Sequence, residues 1–207
     1  MRNAPFSLML ATGLFMLSLT FCGDNNLETV ESRDSEGRLE RWQRNKTDFA
    51  KEGLYQRFYP DGTMAEEAHY IRDTFHGERK FFYKNGAVEI TEHYSNGVYH
   101  GKYLKYNEKG NLIVEQEYVN GAMQGFSLVY YPNGVLKEKY TIRDNEDDGP
   151  FQEYYENGKL KTEGVYVPAE DGSLEQGELK EYDETGQLIR IAHCTDGKCL
   201  TTWELKK

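Results

Sequence analysis

Gly125-Phe126-Ser127-Leu128-Val129-Tyr130-Tyr131-Pro132-Asn133-Gly134-Val135-Leu136 is followed at once by a second stretch of the same form. Gly149-Pro150-Phe151-Gln152-Glu153-Tyr154-Tyr155-Glu156-Asn157-Gly158-Lys159-Leu160 sits 24 residues further on. In both, two glycines stand nine residues apart, an aromatic falls five after the first glycine, and an apolar residue falls two after the second. Followed outward, the glycine pair recurs as Gly53/Gly62, Gly77/Gly86, Gly101/Gly110, Gly125/Gly134, Gly149/Gly158 and Gly177/Gly186. The last step is four residues longer, and Val167 to Ser173 supplies room for the insertion. A fixed period of this kind is the signature of a repeat architecture.

Each repeat carries two turn signals. Asp61-Gly62, Asn85-Gly86, Asn133-Gly134 and Asn157-Gly158 mark the first, where the residue pairs tolerate the positive φ of a tight hairpin. Asn96-Gly97, Asn120-Gly121 and Asp196-Gly197 mark the second, with Arg72-Asp73 and Asp144-Asn145 in the equivalent places. A reversal about every twelve residues leaves strands of about eight to ten. The expected fold is therefore all-β, an elongated array of antiparallel hairpins laid side by side. Apolar columns 11 and 17 residues after the first glycine differ by an even number, so they share one face. Glu67, His69, Glu115, Glu117, Lys139 and Thr141 belong to the opposite, solvated face. Gly37-Arg38-Leu39 opens the array as a half-repeat, and Trp42 and Trp203 stand near its ends as candidate caps.

The chain has 207 residues and a formal charge of −10. That balance excludes a sequence-independent grip on nucleic acid, which depends on Lys and Arg displacing counterions from phosphates. Ahead of the repeats, Met1-Arg2-Asn3 introduces the uncharged, Leu-, Met- and Phe-rich run Ala4–Phe21, the form of an export signal over residues 1–21. Leu19-Thr20-Phe21-Cys22 resembles the lipobox of bacterial lipoproteins, with Phe21 departing from the usual small residue. The resemblance implies acylation of Cys22, a membrane anchor through N-terminal lipid, and export to the cell envelope, facing the periplasm or the surface. Residues 22–36 are then expected to be a polar linker and residues 37–207 the repeat domain.

The recurring Gly-x-x-x-x-Tyr-Tyr-x-Asn-Gly-x-Leu pattern resembles the MORN repeat, and more narrowly its bacterial variant. The likeness implies a single layer of β-hairpins that offers a groove or a sheet edge to partners, and it implies no reaction.

No catalytic group is nominated. His69, His93 and His193 share one repeat slot, and His76 and His100 share another, so a scaffold accounts for all five. No metal site or cofactor is expected: Asp144 to Gly149 lacks the twelfth-position Glu of a calcium loop. Cys194 and Cys199 flank Thr195-Asp196-Gly197-Lys198, a spacing that sets them opposite each other across a two-residue turn and predicts a disulfide. Tyr59, Tyr83, Tyr131 and Tyr155, the second aromatic of their repeats, form the candidate ligand-binding ladder, interrupted at Asn107 and Asp183. The leading expectation is a non-enzymatic envelope lipoprotein whose repeats bind protein or envelope polymer. An antitoxin or immunity protein and a glycan-acting envelope enzyme are the alternatives.

Overall fold

The computed structural model describes residues 26–206. The expected signal segment 1–21, the lipidation site Cys22 and the first residues of the linker lie outside the described residues. Within them the chain reverses at every turn signal. The strands are β1 (Leu27–Arg33), β2 (Leu39–Asn45), β3 (Lys51–Phe58), β4 (Met64–Ile71), β5 (Thr74–Phe82), β6 (Val88–Ser95), β7 (Val98–Tyr99), β8 (Gly101–Tyr106) and β9 (Leu112–Val119). They continue as β10 (Ala122–Tyr130), β11 (Leu136–Arg143), β12 (Glu146–Tyr154), β13 (Leu160–Ala169), β14 (Gly172–Glu175), β15 (Gly177–Tyr182), β16 (Leu188–Thr195) and β17 (Lys198–Glu204).

Consecutive strands pair antiparallel from β1 to β17, as in Gly53↔Tyr70 and Gly149↔Tyr166. β7 and β8 share one position opposite β6, and β14 and β15 share one opposite β13. About fifteen strand positions at about 4.8 Å give an open sheet on the order of 70 Å long. The expected insertion lengthens one hairpin: β13 runs on to Ala169, which pairs with Gly172 of β14.

The boundary expected at residue 37 needs correction. β1 lies inside the expected linker, with Val30 opposite Trp42 and Glu28 opposite Arg44. Ion pairs Arg41–Glu31 and Arg44–Glu28, both 2.7 Å, hold it to β2. Two apolar residues are too few for a core, but a strand added to an existing edge needs only ladder bonds and cross-strand pairs.

The two turns of each repeat differ in kind. At the second, both central residues are left-handed, for example Asn96 (φ 50°) and Gly97 (φ 81°), the two-residue geometry anticipated for it. At the first, only the glycine has positive φ. There Gly62 N–H donates to the Tyr59 carbonyl, and Tyr59 N–H donates to the Thr63 carbonyl, at 2.9 and 2.8 Å. The Asp or Asn before the glycine was expected to supply left-handed backbone; it supplies a side-chain cap instead. Its Oδ1 accepts from the amide two residues on, as in Asn85 to Ala87 (2.9 Å) and Asn157 to Lys159 (2.9 Å).

A register shift recurs beside every first turn, between Arg57/Phe58, Phe81/Phe82, Lys105/Tyr106, Val129/Tyr130, Glu153/Tyr154 and Glu181/Tyr182. The extra residue lies on the returning strand, as Ala65 between Met64, opposite Phe58, and Glu66, opposite Arg57, and it sets the apolar residue two after the second glycine opposite the aromatic five after the first. Strict alternation along β4 would have kept Met64 on the face of Tyr70.

The columns predicted to share a face do not: the extra residue between them, Ala65 in β4 and Glu89 in β6, leaves Tyr70 and Tyr94 on the inner face and turns Met64 and Val88 to the other. Tyr70, Phe75, Tyr94, Tyr99 and Tyr118 stack in succession with ring centroids 4.5 to 5.2 Å apart. Lys51 closes one end of the ladder, its ammonium 4.9 to 5.2 Å from the Trp42, Tyr55 and Tyr70 rings. Trp42 is thus part of the ladder's end, whereas Trp203 lies exposed on the last strand. Toward the C-terminus the same column becomes the buried Ile142, then Tyr166 and Cys194, which pack with Phe151, Leu179 and Ala192.

That face is not uniformly apolar. Glu66, 2% exposed, bonds Arg57 and Arg79 at 2.7 Å each. Glu92 accepts from the hydroxyls of Tyr94 (3.0 Å) and Tyr99 (2.7 Å). Arg79 in turn lies over the Phe75 and Phe81 rings at 4.5 and 4.4 Å. Paired carboxylates and guanidiniums can occupy a buried face because most of their donors and lone pairs find partners there, the Arg57 Nε being the exception.

Candidate functional site

The opposite face carries a groove of about 620 Å³ over β10 to β15. Its making is local. Between Tyr140↔Phe151 and Ile142↔Asp147, β12 sets Asp148, Gly149 and Pro150 against the single Thr141, and the bulge brings Gly149 so close that an added Cβ would come within 3.1 Å of the Thr141 side chain. Only a glycine fits there, and its φ of 133° excludes other residues as well. The Thr141 hydroxyl donates to the Pro150 carbonyl at 2.7 Å, fixing the depression.

Phe126, half exposed, and Val165 supply the apolar wall, and Lys139 sits 4.2 Å from the centre of the Phe126 ring. Glu178 and Lys180, ion-paired at 2.8 Å, and Glu163 form the charged rim. A surface of this kind has the mixed character of a binding groove. Of its residues, Lys139 and Thr141 were expected on the solvated face, but nothing in the strand alternation signals the depression, which comes from the bulge opposite Thr141.

A second groove, of about 540 Å³, lies between Lys80, Val88, Thr91, His93, Leu104 and Tyr106. The same construction recurs: His93 holds the slot of Thr141, and its Nδ1 donates to the Lys102 carbonyl at 2.9 Å. A Cβ on Gly101 would lie 3.2 Å from His93. His93 is therefore tied into the scaffold, and His100 accepts from the Asn120 amide. His69 and His93 are not cross-strand neighbours: His69 pairs with Leu54 and His93 with Glu78, with β5 between them. Among the described residues no group of three or more His, Cys, Asp or Glu side chains is arranged to hold a metal ion.

Tyr59, Tyr83, Tyr131 and Tyr155, expected as a ligand ladder, have their hydroxyls engaged within the sheet. They donate to the carbonyls of Phe82, Tyr106, Tyr154 and Tyr182, each at 2.8 Å. Every acceptor is the aromatic five after the first glycine of the following repeat. The ladder is a row of latches, and ligand contact through these hydroxyls would require breaking them.

The interruptions at Asn107 and Asp183 follow a compensating rule. Asn107 Oδ1 accepts from the amides of Lys109 and Asn111, and Asp183 Oδ1 from those of Thr185 and Gln187. Where the Tyr is lost, its replacement caps the turn that Lys109 or Thr185 cannot cap. Asp34 does the same for Glu36 and Arg38 in the opening half-repeat.

Charge follows these contacts. The Arg38 side chain holds the Asp34 carboxyl below its ordinary range, the Thr63 amide does so for Asp61, and the Thr185 hydroxyl for Asp183. Burial pushes Tyr70 up to about 12 and Asp147 above the usual carboxylate value.

Cys194 and Cys199 face each other as a cross-strand pair and are joined as a disulfide, with Cα atoms 3.9 Å apart. Asp196 and Gly197 between them are both left-handed. The bridge takes the place in the ladder that Tyr94 and Tyr99 fill four repeats earlier.

Compared with known families, the chain matches the MORN repeat variant six times, at residues 51–72, 75–96, 99–120, 127–144, 147–167 and 175–193. Five of the six matches open two residues before a first glycine, so the family's unit coincides with the hairpin unit of the sheet. No curated protein matches the chain.

Proposed function

The chain belongs to the MORN repeat variant family, and from that premise we propose that it is a binding scaffold of the bacterial envelope without a reaction of its own. It is tethered by lipid at Cys22 and engages an extended segment of a partner protein in the groove over β10 to β15. The observation that carries this reading is the half-exposed Phe126 beside Val165, inside a groove whose rim is charged. Side chains of both signs at the rim, Lys139 and Lys180 against Glu163 and Glu178, suit a polypeptide better than a polyanion. A shallow open trough accepts a chain lying across strands.

Crosslinking of the chain in its native envelope, followed by capture, tests the groove. Phe126→Ser with Val165→Ser is expected to abolish the crosslinked species seen with the unsubstituted chain. Persistence of the same species would move the binding surface elsewhere. The tether has its own test: radiolabelled palmitate is expected in the chain and absent from Cys22→Ser, and an unlabelled chain would remove the lipid anchor.

A further inference from the structure

The two ends of the sheet are built differently. Among the described residues β1 pairs on one side only, with β2, and the strand carries Glu28, Glu31 and Arg33, the guarded kind of edge. Among the same residues β17 also pairs on one side only, with β16, but it displays Leu200, 76% exposed, and Trp203, 42% exposed. Large apolar residues on an open strand edge are a liability unless something covers them.

We propose that the β17 edge pairs antiparallel with β17 of a second copy of this chain, about a two-fold axis perpendicular to the sheet.

The register follows from the strand itself. Leu200 lies opposite His193, and Trp203 lies opposite Ile191, so both point to the face that carries the groove. The shift between Ile191 and Ala192 leaves Thr202 as the extra residue, its hydroxyl bonded to the Ile191 carbonyl at 3.2 Å. That bulge is why Leu200 and Trp203, an odd number of residues apart, share a face.

Antiparallel pairing of two copies can then set Leu200 opposite Trp203 of the other copy, and Trp203 opposite Leu200. Four exposed apolar side chains would cover one another from a single contact repeated twice. In the same register Cys199 faces Glu204. Backbone groups of both point away from β16: Cys194↔Cys199 is a close pair at 3.9 Å, and the adjacent Leu205 amide already bonds Ile189. They are therefore free to form the ladder between copies.

Charge selects the same orientation. Asp196 precedes the strand and Lys206 follows it. Antiparallel alignment brings the acidic end of one copy to the basic end of the other, within one residue of direct register, on both sides. Parallel alignment would place Asp196 against Asp196 and Lys206 against Lys206. Joining β17 to β1 of another copy would give an unclosed filament and leave Leu200 and Trp203 facing the charged strand; the two-fold contact closes.

Light scattering on the full chain in detergent, with bound detergent subtracted, is expected to give the mass of two chains. Leu200→Lys is expected to raise the dissociation constant at least tenfold. Since Leu200 is mostly exposed, an unchanged far-ultraviolet circular dichroism spectrum should accompany it; if the spectrum changes, Leu200→Thr carries the comparison in its place. A single-chain mass at all accessible concentrations overturns the proposal. So does a dimer that withstands the substitution at Leu200, because its contact would then lie away from β17.

Discussion

The hydroxyl of Tyr131 donates a hydrogen bond to the main-chain carbonyl of Tyr154, 2.8 Å away and in the next repeat. The tyrosine pair within each motif thus has two jobs. The first ring packs on the sheet, and the second ties its own turn to the following hairpin. Asn133 adds a longer contact in the same direction, Nδ2 to the Glu156 carbonyl at 3.4 Å, while its Oδ1 caps its own turn.

Removing one latch should cost the value of one half-buried hydrogen bond. Tyr131→Phe is expected to lower stability by about 1 kcal/mol in urea denaturation, with the strand content unchanged. An unchanged midpoint would mean that solvent serves the hydroxyl equally well.

The exchange of roles between the second aromatic and the capping residue predicts coupling. Asn107→Tyr alone strips the caps from Lys109 and Asn111 and should destabilise by about 1 kcal/mol. Adding Lys109→Asn restores the arrangement of the neighbouring repeats. A double-mutant cycle should therefore show favourable coupling of at least about 0.5 kcal/mol, and simple additivity would contradict the compensation.

Glu66 is the acidic centre of the buried charge network, and its removal leaves Arg57 and Arg79 facing each other on a covered face. Glu66→Gln is expected to cost about 3 to 5 kcal/mol. Glu31→Gln, whose carboxylate pairs with Arg41 in the open, should cost under about 1 kcal/mol. Comparable losses at the two positions would refute the assignment of a buried network.

Gly164 takes ordinary strand dihedrals, so its requirement is space. A Cβ there would lie 2.8 Å from the Phe151 ring and 3.0 Å from Leu179. Gly164→Ala is expected to cost about 1 to 3 kcal/mol by overpacking, and Phe151→Leu in the same chain should recover part of it. Thermal melting of the three variants provides the comparison.

Alkaline and acid limits follow from opposite shifts. Tyr70 ionises near 10 when unfolded and is pushed up to about 12 by burial, so its contribution is complete below pH 10 and falls away as pH rises toward 12. Burial raises Tyr140 and Tyr166 in the same direction, which should make the loss cooperative. Asp34, Asp61 and Asp183 are depressed, so their contribution is present above the ordinary carboxylate value of 3.8 and is lost below it. Asp147, raised by burial, opposes them in acid. Absorbance at 295 nm during alkaline titration should show tyrosine ionisation delayed until the strand signal is lost; ordinary titration near pH 10 in the folded chain would contradict the burial.

Much of this was legible because a repeat states its own alignment. The glycine spacing placed the turns, but the even interval between the apolar columns misassigned Met64, because the extra residue Ala65 turns it away from the face of Tyr70. Cys194 and Cys199 could be set opposite each other by counting outward from Asp196-Gly197. The tyrosine ladder was visible as a column, but its purpose was not. A hydroxyl's partner here lies 23 or 27 residues away, and only the offset between neighbouring hairpins brings them together. β1 escaped for a related reason: its composition is that of a linker, and only an edge already formed by β2 gives it a place.

The amino-acid sequence by itself determined the period, the reversal points and the alternation of faces, because these depend on backbone freedom at glycine and on the two-residue repeat of a strand. Tertiary structure alone decided where that alternation breaks. The bulges at Ala65, Gly149 and Thr202 arise from matching two strands of unequal length, a property of the pair that neither strand carries. They turn Met64 out to meet Phe58, hollow the groove beside Phe126, and bring Leu200 and Trp203 to one side of the open edge.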